Sequence, residues 1–123
     1  MKSRGGLRRV IDAWGYSLQG LRAAWAFEAA FRQEVCLAVL MLPASWWLGG
    51  NWAERVLLAA TVVLVLVVEL LNSAVEAVVD RISMDLHPLA GRAKDIGSAA
   101  VLLSLLLCGG VWLSALWSYF NGK

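Results

Sequence analysis

Charge is scarce in this chain, and histidine, cysteine and proline are scarcer. Of 123 residues, 16% are charged and 60% are hydrophobic. The single histidine, His87, excludes a metal site built from several imidazoles and gives histidine-based nucleophilic catalysis no support. Cys36 and Cys108 both fall in apolar runs, without CxxC spacing, and read as buried free thiols. No glycine-rich phosphate loop is present: Gly91 to Gly97 encloses Lys94 but lacks the Gly-Lys-Ser/Thr ending. Neither the protein-kinase glycine loop nor Asp-Phe-Gly occurs. The first twenty residues are basic and interrupted, so no cleavable signal peptide is expected. No internal repeat, linker or low-complexity segment stands out, and residues 1–123 are read as one domain.

What the chain does have is long apolar stretches, at 35–48, 56–79 and 99–119. About 20 apolar residues cross a bilayer core, and the second and third stretches qualify. The first is shorter and holds Pro43, which kinks a helix or frees a carbonyl. The expectation is an all-α integral membrane protein with spans near 33–49, 56–80 and 97–119. Two spans plus a re-entrant segment is the alternative. Upstream, Leu7, Val10, Ile11, Trp14, Leu18 and Leu21 recur at helical spacing, with Arg8, Arg9, Asp12 and Gln19 pointing elsewhere. Residues 7–32 therefore read as an amphipathic helix on the membrane surface, with Gly15 and Gly20 as weak points. Residues 81–97 read as a short polar loop punctuated by Pro88 and Gly91.

The net charge of +2 is unevenly placed. Lys2, Arg4, Arg8, Arg9, Arg22 and Arg32 precede the first apolar stretch, and Arg81, Arg92 and Lys94 lie between the second and third. The positive-inside rule then puts the N-terminus and the 81–97 segment in the cytoplasm. Trp46, Trp47, Trp52, Trp117 and Tyr119 suit an outer interfacial belt, and Trp14, Tyr16 and Trp25 an inner one.

The second apolar stretch carries the most informative feature. Glu69, Asn72, Glu76 and Asp80 stand at i, i+3, i+7 and i+11, on one face of a helix that is otherwise apolar. A carboxylate near a bilayer centre costs at least about 2.5–3.5 kcal/mol, so such groups are paired, functional or both. Glu28, Glu34, Glu69, Glu76, Asp80, Lys94 and Asp95 are placed to cluster at the inner membrane face. Carboxylates without imidazole or thiolate suit a hard cation such as Mg²⁺, which takes one or two protein carboxylates plus substrate phosphates. Lysine and arginine nearby suit phosphoryl oxygens, and a buried glutamate suits a general base. On these grounds alone three readings remain open: an enzyme, a proton or cation pathway, and a polar contact between helices.

Four blocks of sequence carry a resemblance. They are Gly15-Tyr-Ser-Leu-Gln-Gly-Leu-Arg-Ala-Ala-Trp25, Glu28-Ala-Ala-Phe-Arg-Gln-Glu34, Glu69-Leu-Leu-Asn72-Ser-Ala-Val-Glu76-Ala-Val-Val-Asp80-Arg81 and Gly91-Arg-Ala-Lys-Asp-Ile-Gly-Ser-Ala-Ala-Val101. In order and spacing the chain resembles the small bacterial integral-membrane diacylglycerol kinases of proteobacterial type. The resemblance implies a homotrimer of three-span subunits with active sites shared between neighbours. It implies transfer of the γ-phosphoryl of ATP to diacylglycerol with Mg²⁺, giving phosphatidic acid at the cytoplasmic face of a bacterial inner membrane. The expected partners are diacylglycerol and membrane lipid, ATP and further copies of the chain, with no nucleic acid.

By the same resemblance Glu69 is the general base, with Asn72 orienting it or a metal-bound water. Glu28 and Glu76 are the Mg²⁺ ligands. Arg9, Tyr16, Glu28, Glu76, Asp85, Leu86, His87, Lys94 and Asp95 lie on the nucleotide side. Arg9, Ser17, Arg22, Ala30, Glu34, Trp47, Arg55, Glu69, Ser98 and Trp112 lie against the lipid. Phe27 departs from the family, which often places asparagine there, and residues 35–55 match only loosely. Undecaprenol kinase activity, or a small ion-conducting or assembly protein, is the alternative function.

Overall fold

A computed structural model describes residues 5–82 and 88–122. It contains four helices: α1 (Gly6–Phe27), α2 (Ala29–Leu48), α3 (Trp52–Ile82) and α4 (Pro88–Phe120). α3 and α4 are each long and apolar enough to cross a membrane. α2 has 20 residues, which at 1.5 Å per residue reach about 30 Å. Its apolar character is diluted by Arg32 and Glu34 in its first turns.

Packing centres on α3, which lies against both α2 and α4; α2 and α4 barely meet. The core is Ala38 of α2, Leu58, Val62 and Val65 of α3, and Cys108 and Trp112 of α4. Met41, Ala44, Leu48 and Ala115 surround it. Cys108 is buried as expected, whereas Cys36 is exposed. Buried hydroxyls do not strain this apolar interior. Ser45 donates to Leu42 O at 2.6 Å, Thr61 to Leu58 O at 2.9 Å and Ser104 to Val101 O at 2.8 Å. Each satisfies itself within its own helix.

Two contacts set the antiparallel register of α3 and α4. The buried Trp112 indole donates Nε1–H to Leu58 O at 3.2 Å, across 54 residues of sequence. Nearer the other end, Gly97 of α4 faces Asn72 of α3 so closely that a Cβ would collide with the Asn72 amide oxygen. A side chain at 97 would have to displace the Asn72 amide, so the glycine matters for approach rather than for conformation.

The turn between α2 and α3 is tightly built. Asn51 caps α3, its Oδ1 accepting from Glu54 N at 3.0 Å, and Glu54 reaches back to accept from Gly50 N at 2.6 Å. This resembles a capping box with its return bond shifted by one residue. Arg55 donates Nε–H to Gly49 O at 3.2 Å and lies 4.5 Å over the Trp46 ring, which meets Trp52 edge-on. A Cβ on Gly49 would fall 2.8 Å from Arg55 N, so only glycine lets the turn close.

Two boundaries differ from those read in the sequence. The expected surface helix stops at Phe27 instead of 32, because Glu28 is extended at φ −117° and ψ 104°. The elbow is held by Arg32, whose Nη1 donates to Trp25 O at 2.7 Å and Ala26 O at 3.3 Å. A cation thus satisfies carbonyls that end α1, where the helix dipole is negative. The segment from 88 to 97 is helical rather than loop. Pro88 is the first residue of α4, where its missing N–H costs nothing, and Gly91 is carried within the helix.

Two outcomes follow. Trp112→Phe removes one inter-helix hydrogen bond and keeps the ring. Leu58 O retains the Thr61 hydroxyl, so the expected cost is small, about 0.5–1.5 kcal/mol in reversible unfolding in micelles. Arg32→Ala leaves the last carbonyls of α1 without their donor, at about 1 kcal/mol or more. Hydrogen exchange should rise at amides 24–32 and stay unchanged in the α3–α4 core.

Candidate active site

The polar stripe of α3 runs from the buried interior to the exposed helix end. Glu69 is only 5% exposed, Asn72 and Glu76 are half-buried, and Asp80 is exposed. The gradient follows the packing: beyond Glu69 the stripe leaves the cover of α2, which begins at Ala29, and keeps α4 alongside, where Lys94 meets Asp80. Because α2 is antiparallel to α3, Glu34 near the start of α2 comes alongside Glu69. The carboxylates of Glu34, Glu28 and Glu76 all lie within electrostatic reach of Glu69. Four of the acids singled out in the sequence are therefore gathered, and they come from the α1–α2 elbow, α2 and α3.

Glu69 is met by Ser73, one turn on, whose hydroxyl donates to Oε2 at 3.4 Å, the far end of hydrogen-bond range. Asn72, expected to orient Glu69, instead packs towards Gly97, and its Oδ1 is buried without a hydrogen bond. Glu34 Oε1 is buried and unbonded as well. Among the described residues neither acceptor has a donor, so each is open to a water, an ion or a ligand group. Ser73 is a contact of Glu69 that the sequence alone did not single out. Its i+4 spacing from Glu69 is the signal in the sequence, and Asn72 at i+3 carries the same signal with a stronger polar group.

Glu28 is the elbow residue itself. It makes no i, i+4 pair with Arg32, whose guanidinium is engaged by Trp25 and Ala26. Its carboxylate stands at the edge of a cleft of about 720 Å³ between α1 and α3. Ser17, Leu21 and Phe27 line one wall, and Leu70, Ser73 and Ala77 the other. The cleft is apolar apart from Glu28 and the two serines, and Glu69 reaches it through Ser73. The exposed Phe27 that departs from the family pattern is part of this wall.

At the exposed end of α3, Asp80 pairs with Lys94 of α4 at 2.7 Å, and Glu76 adds its field at the same ammonium. Asp95 is exposed next to it. Arg9, Tyr16, Ser17 and Arg22 are exposed along α1, Ala30 on the first turn of α2 and Ser98 on α4. Asp85, Leu86 and His87 lie outside the described residues.

The remaining lipid-side residues sit at the opposite end of the bundle. Arg55 precedes Glu69 by fourteen residues on the same helix, about 21 Å. It is engaged by Gly49 and Trp46. Trp47 and Trp112 line a groove of about 390 Å³ with Leu48, Leu116, Tyr119 and Phe120. The structure does not bring these three to the carboxylates.

Among the described residues, no three histidine, cysteine or acidic side chains gather at metal-binding spacing. This fits Mg²⁺ in one form only. Glu28 and Glu76 offer hard oxygen donors, and an ion that arrives on nucleotide phosphates needs no more than one or two protein carboxylates. An all-protein cage is not what these residues build.

Comparison with known proteins gives this arrangement its context. The family model described as "Prokaryotic diacylglycerol kinase" matches residues 15–116. The chain is 53% identical over 116 residues to the diacylglycerol kinase of Escherichia coli K12, covering 94% of this chain and 95% of that protein. It is 48% identical to that of Pseudomonas aeruginosa over 115 residues, 94% of each chain. With that of Helicobacter pylori J99 it shares 40% over 117 residues, 94% of this chain and 91% of the other. The matched span runs through the elbow, the stripe and the start of α4, and the chain belongs to the prokaryotic diacylglycerol kinase family.

Proposed function

We propose that the chain is an ATP-dependent diacylglycerol kinase of the bacterial inner membrane. It phosphorylates the primary hydroxyl of diacylglycerol to phosphatidic acid at the cytoplasmic face. The observation that carries this reading is a buried carboxylate, Glu69, beside an apolar cleft that opens between two helices. A lipid alcohol reaches such a cleft sideways from the bilayer, while a charged nucleotide approaches the exposed end of α3 from water.

Each residue then has a task. Glu69 accepts the hydroxyl proton, and Ser73 holds the carboxylate's second oxygen. Glu28 and Glu76 hold the Mg²⁺ that accompanies ATP, and when bound this ion neutralises charge on the phosphoryl oxygens. Lys94 donates to phosphate oxygens at the same end. Asp95, Arg9 and Tyr16, with Asp85, Leu86 and His87, belong to the nucleotide side. Ser17, Arg22, Ala30, Glu34 and Ser98 belong to the lipid headgroup side. Trp47 and Trp112 are far enough from Glu69 to touch only acyl chain. Arg55 serves chiefly the α2–α3 turn.

α2 completes a three-span bundle, with α1 on the cytoplasmic surface and the Trp46–Trp52 turn outside. The chain assembles as a homotrimer whose sites are shared between subunits. The unbonded acceptors on Glu34 and Asn72, which a neighbouring copy could serve, support this.

Phosphate transfer from radiolabelled ATP in mixed micelles with Mg²⁺ tests the activity. Glu69→Gln should lower kcat by about 10²–10⁴ and spare nucleotide binding. Wild-type turnover in that variant would remove Glu69 from the role of base. Product with undecaprenol but not diacylglycerol would keep the mechanism and change the acceptor. Transfer to neither, with ATP-independent cation flux in liposomes, would return the stripe to conduction. Glu76→Gln should raise the Mg²⁺ concentration for half-maximal rate by about tenfold or more.

A further inference from the structure

Asp80 has no role in the chemistry just described, yet it is the residue that meets Lys94. Its carboxylate lies 2.7 Å from the ammonium, with the two side chains 63% and 43% exposed. A pair this open to water contributes little to folding. The register of α3 and α4 is already set by Trp112 on Leu58 and by Gly97 on Asn72. Nor does Asp80 favour its own helix. It stands in the last turns of α3, where the dipole is negative and an anion is unwelcome. Sequence neighbours on a helix do not face one another, so Arg81 and Asp95 are no competitors and the pair is made across the α3–α4 seam. A contact that helps neither helix nor fold is explained by what it does to Lys94.

Lysine is a long stem with a compact charge, and much of its rotamer freedom is lost when it is fixed. An ammonium has three donors, and Asp80 uses one. The other two are left at the exposed end of the stripe, beside Glu76. We infer that Asp80 is a positioning residue that holds the Lys94 ammonium ready for the phosphates of ATP. Part of the ordering that nucleotide binding requires is then met before ATP arrives. This rests on the proposed nucleotide role of Lys94.

The test is binding of a non-hydrolysable ATP analogue with Mg²⁺, measured by calorimetry on the full chain in micelles, so that no turnover is needed. Steady-state KM values are taken alongside. Asp80→Asn should weaken analogue binding and raise KM for MgATP by about tenfold, the scale of one charge-assisted hydrogen bond. kcat and KM for diacylglycerol should stay within about twofold. Asp80→Glu should recover most of the loss. In a Lys94→Ala background, Asp80→Asn should add nothing. Unchanged or tighter nucleotide binding in Asp80→Asn overturns the inference, as does a full effect that persists without Lys94. Loss of kcat together with both KM values would show a structural role instead. If Lys94→Ala itself leaves nucleotide binding intact, the Lys94 assignment fails and takes this inference with it. If only Asp80→Asn is silent, the kinase reading stands and Asp80 alone loses its role.

Discussion

Burial of the Glu69 carboxylate is the constraint on which the rest of this structure depends. An acid in the apolar part of a bundle must be neutral, paired or near other polar groups, because a bare charge there costs several kcal/mol. Here the protein supplies a serine hydroxyl at long range and surrounds it with further acids, which do not compensate a negative charge. The arrangement is poor as a structural contact and coherent as a site that expects a proton and a cation. The same logic separates the two ends of the stripe. On the proposed reading the interior acid takes up a proton from a lipid, and the half-buried Glu28 and Glu76, nearer the water-exposed end, meet nucleotide and metal.

Holding Glu69 in place is a matter of helix register, and the register is set by a few contacts. The Trp112–Leu58 hydrogen bond and the close approach of Gly97 to Asn72 align α4 with α3 at two levels. They also bring Lys94 level with Asp80. On the other side, Arg32 satisfies the last carbonyls of α1 and so makes a one-residue elbow of Glu28. The role of Arg32 is therefore indirect. By serving the backbone of α1 it leaves the Glu28 carboxylate unpaired and turned towards the cleft.

Much of this was legible in the sequence, for identifiable reasons. The stripe on α3 is visible because helical periodicity alone puts Glu69, Asn72, Glu76 and Asp80 on one face. The two long helices are visible from length and apolarity. The break at Glu28 was not. Residues 23–31 are alanine-rich with no glycine or proline, and local propensity favours an unbroken helix; a tertiary cap from Arg32 overrides it. The opposite error occurred at 88–97. Pro88 and Gly91 read as loop signals, although a proline at the first helical position starts a helix and one internal glycine is tolerated. Side-chain direction was the least legible. Asn72 shares a face with Glu69, yet a difference of 60° about the axis lets it pack on α4 while Ser73 faces the acid.

The division of the bundle into two ends has a consequence for how a lipid is read. Arg55, Trp47 and Trp112 lie with the capped turn and its aromatic cluster, about 20 Å from the acid on α3. A diacylglycerol whose hydroxyl sits at Glu69 can reach that end only with its acyl chains. The groove lined by Trp47 and Trp112 is correspondingly apolar, with Leu48, Leu116 and Phe120 in its walls. Such walls read no headgroup chemistry and discriminate little among acyl chains, because dispersion contacts do not distinguish one methylene from the next. Recognition of the alcohol must then come from the polar groups near Glu69. Ser17, Glu28 and Ser73 are the polar groups in the cleft walls there. On the proposed reading the chain places its chemical discrimination in a few polar atoms at one end of the bundle and leaves the rest of the lipid to an apolar surface that tolerates variation.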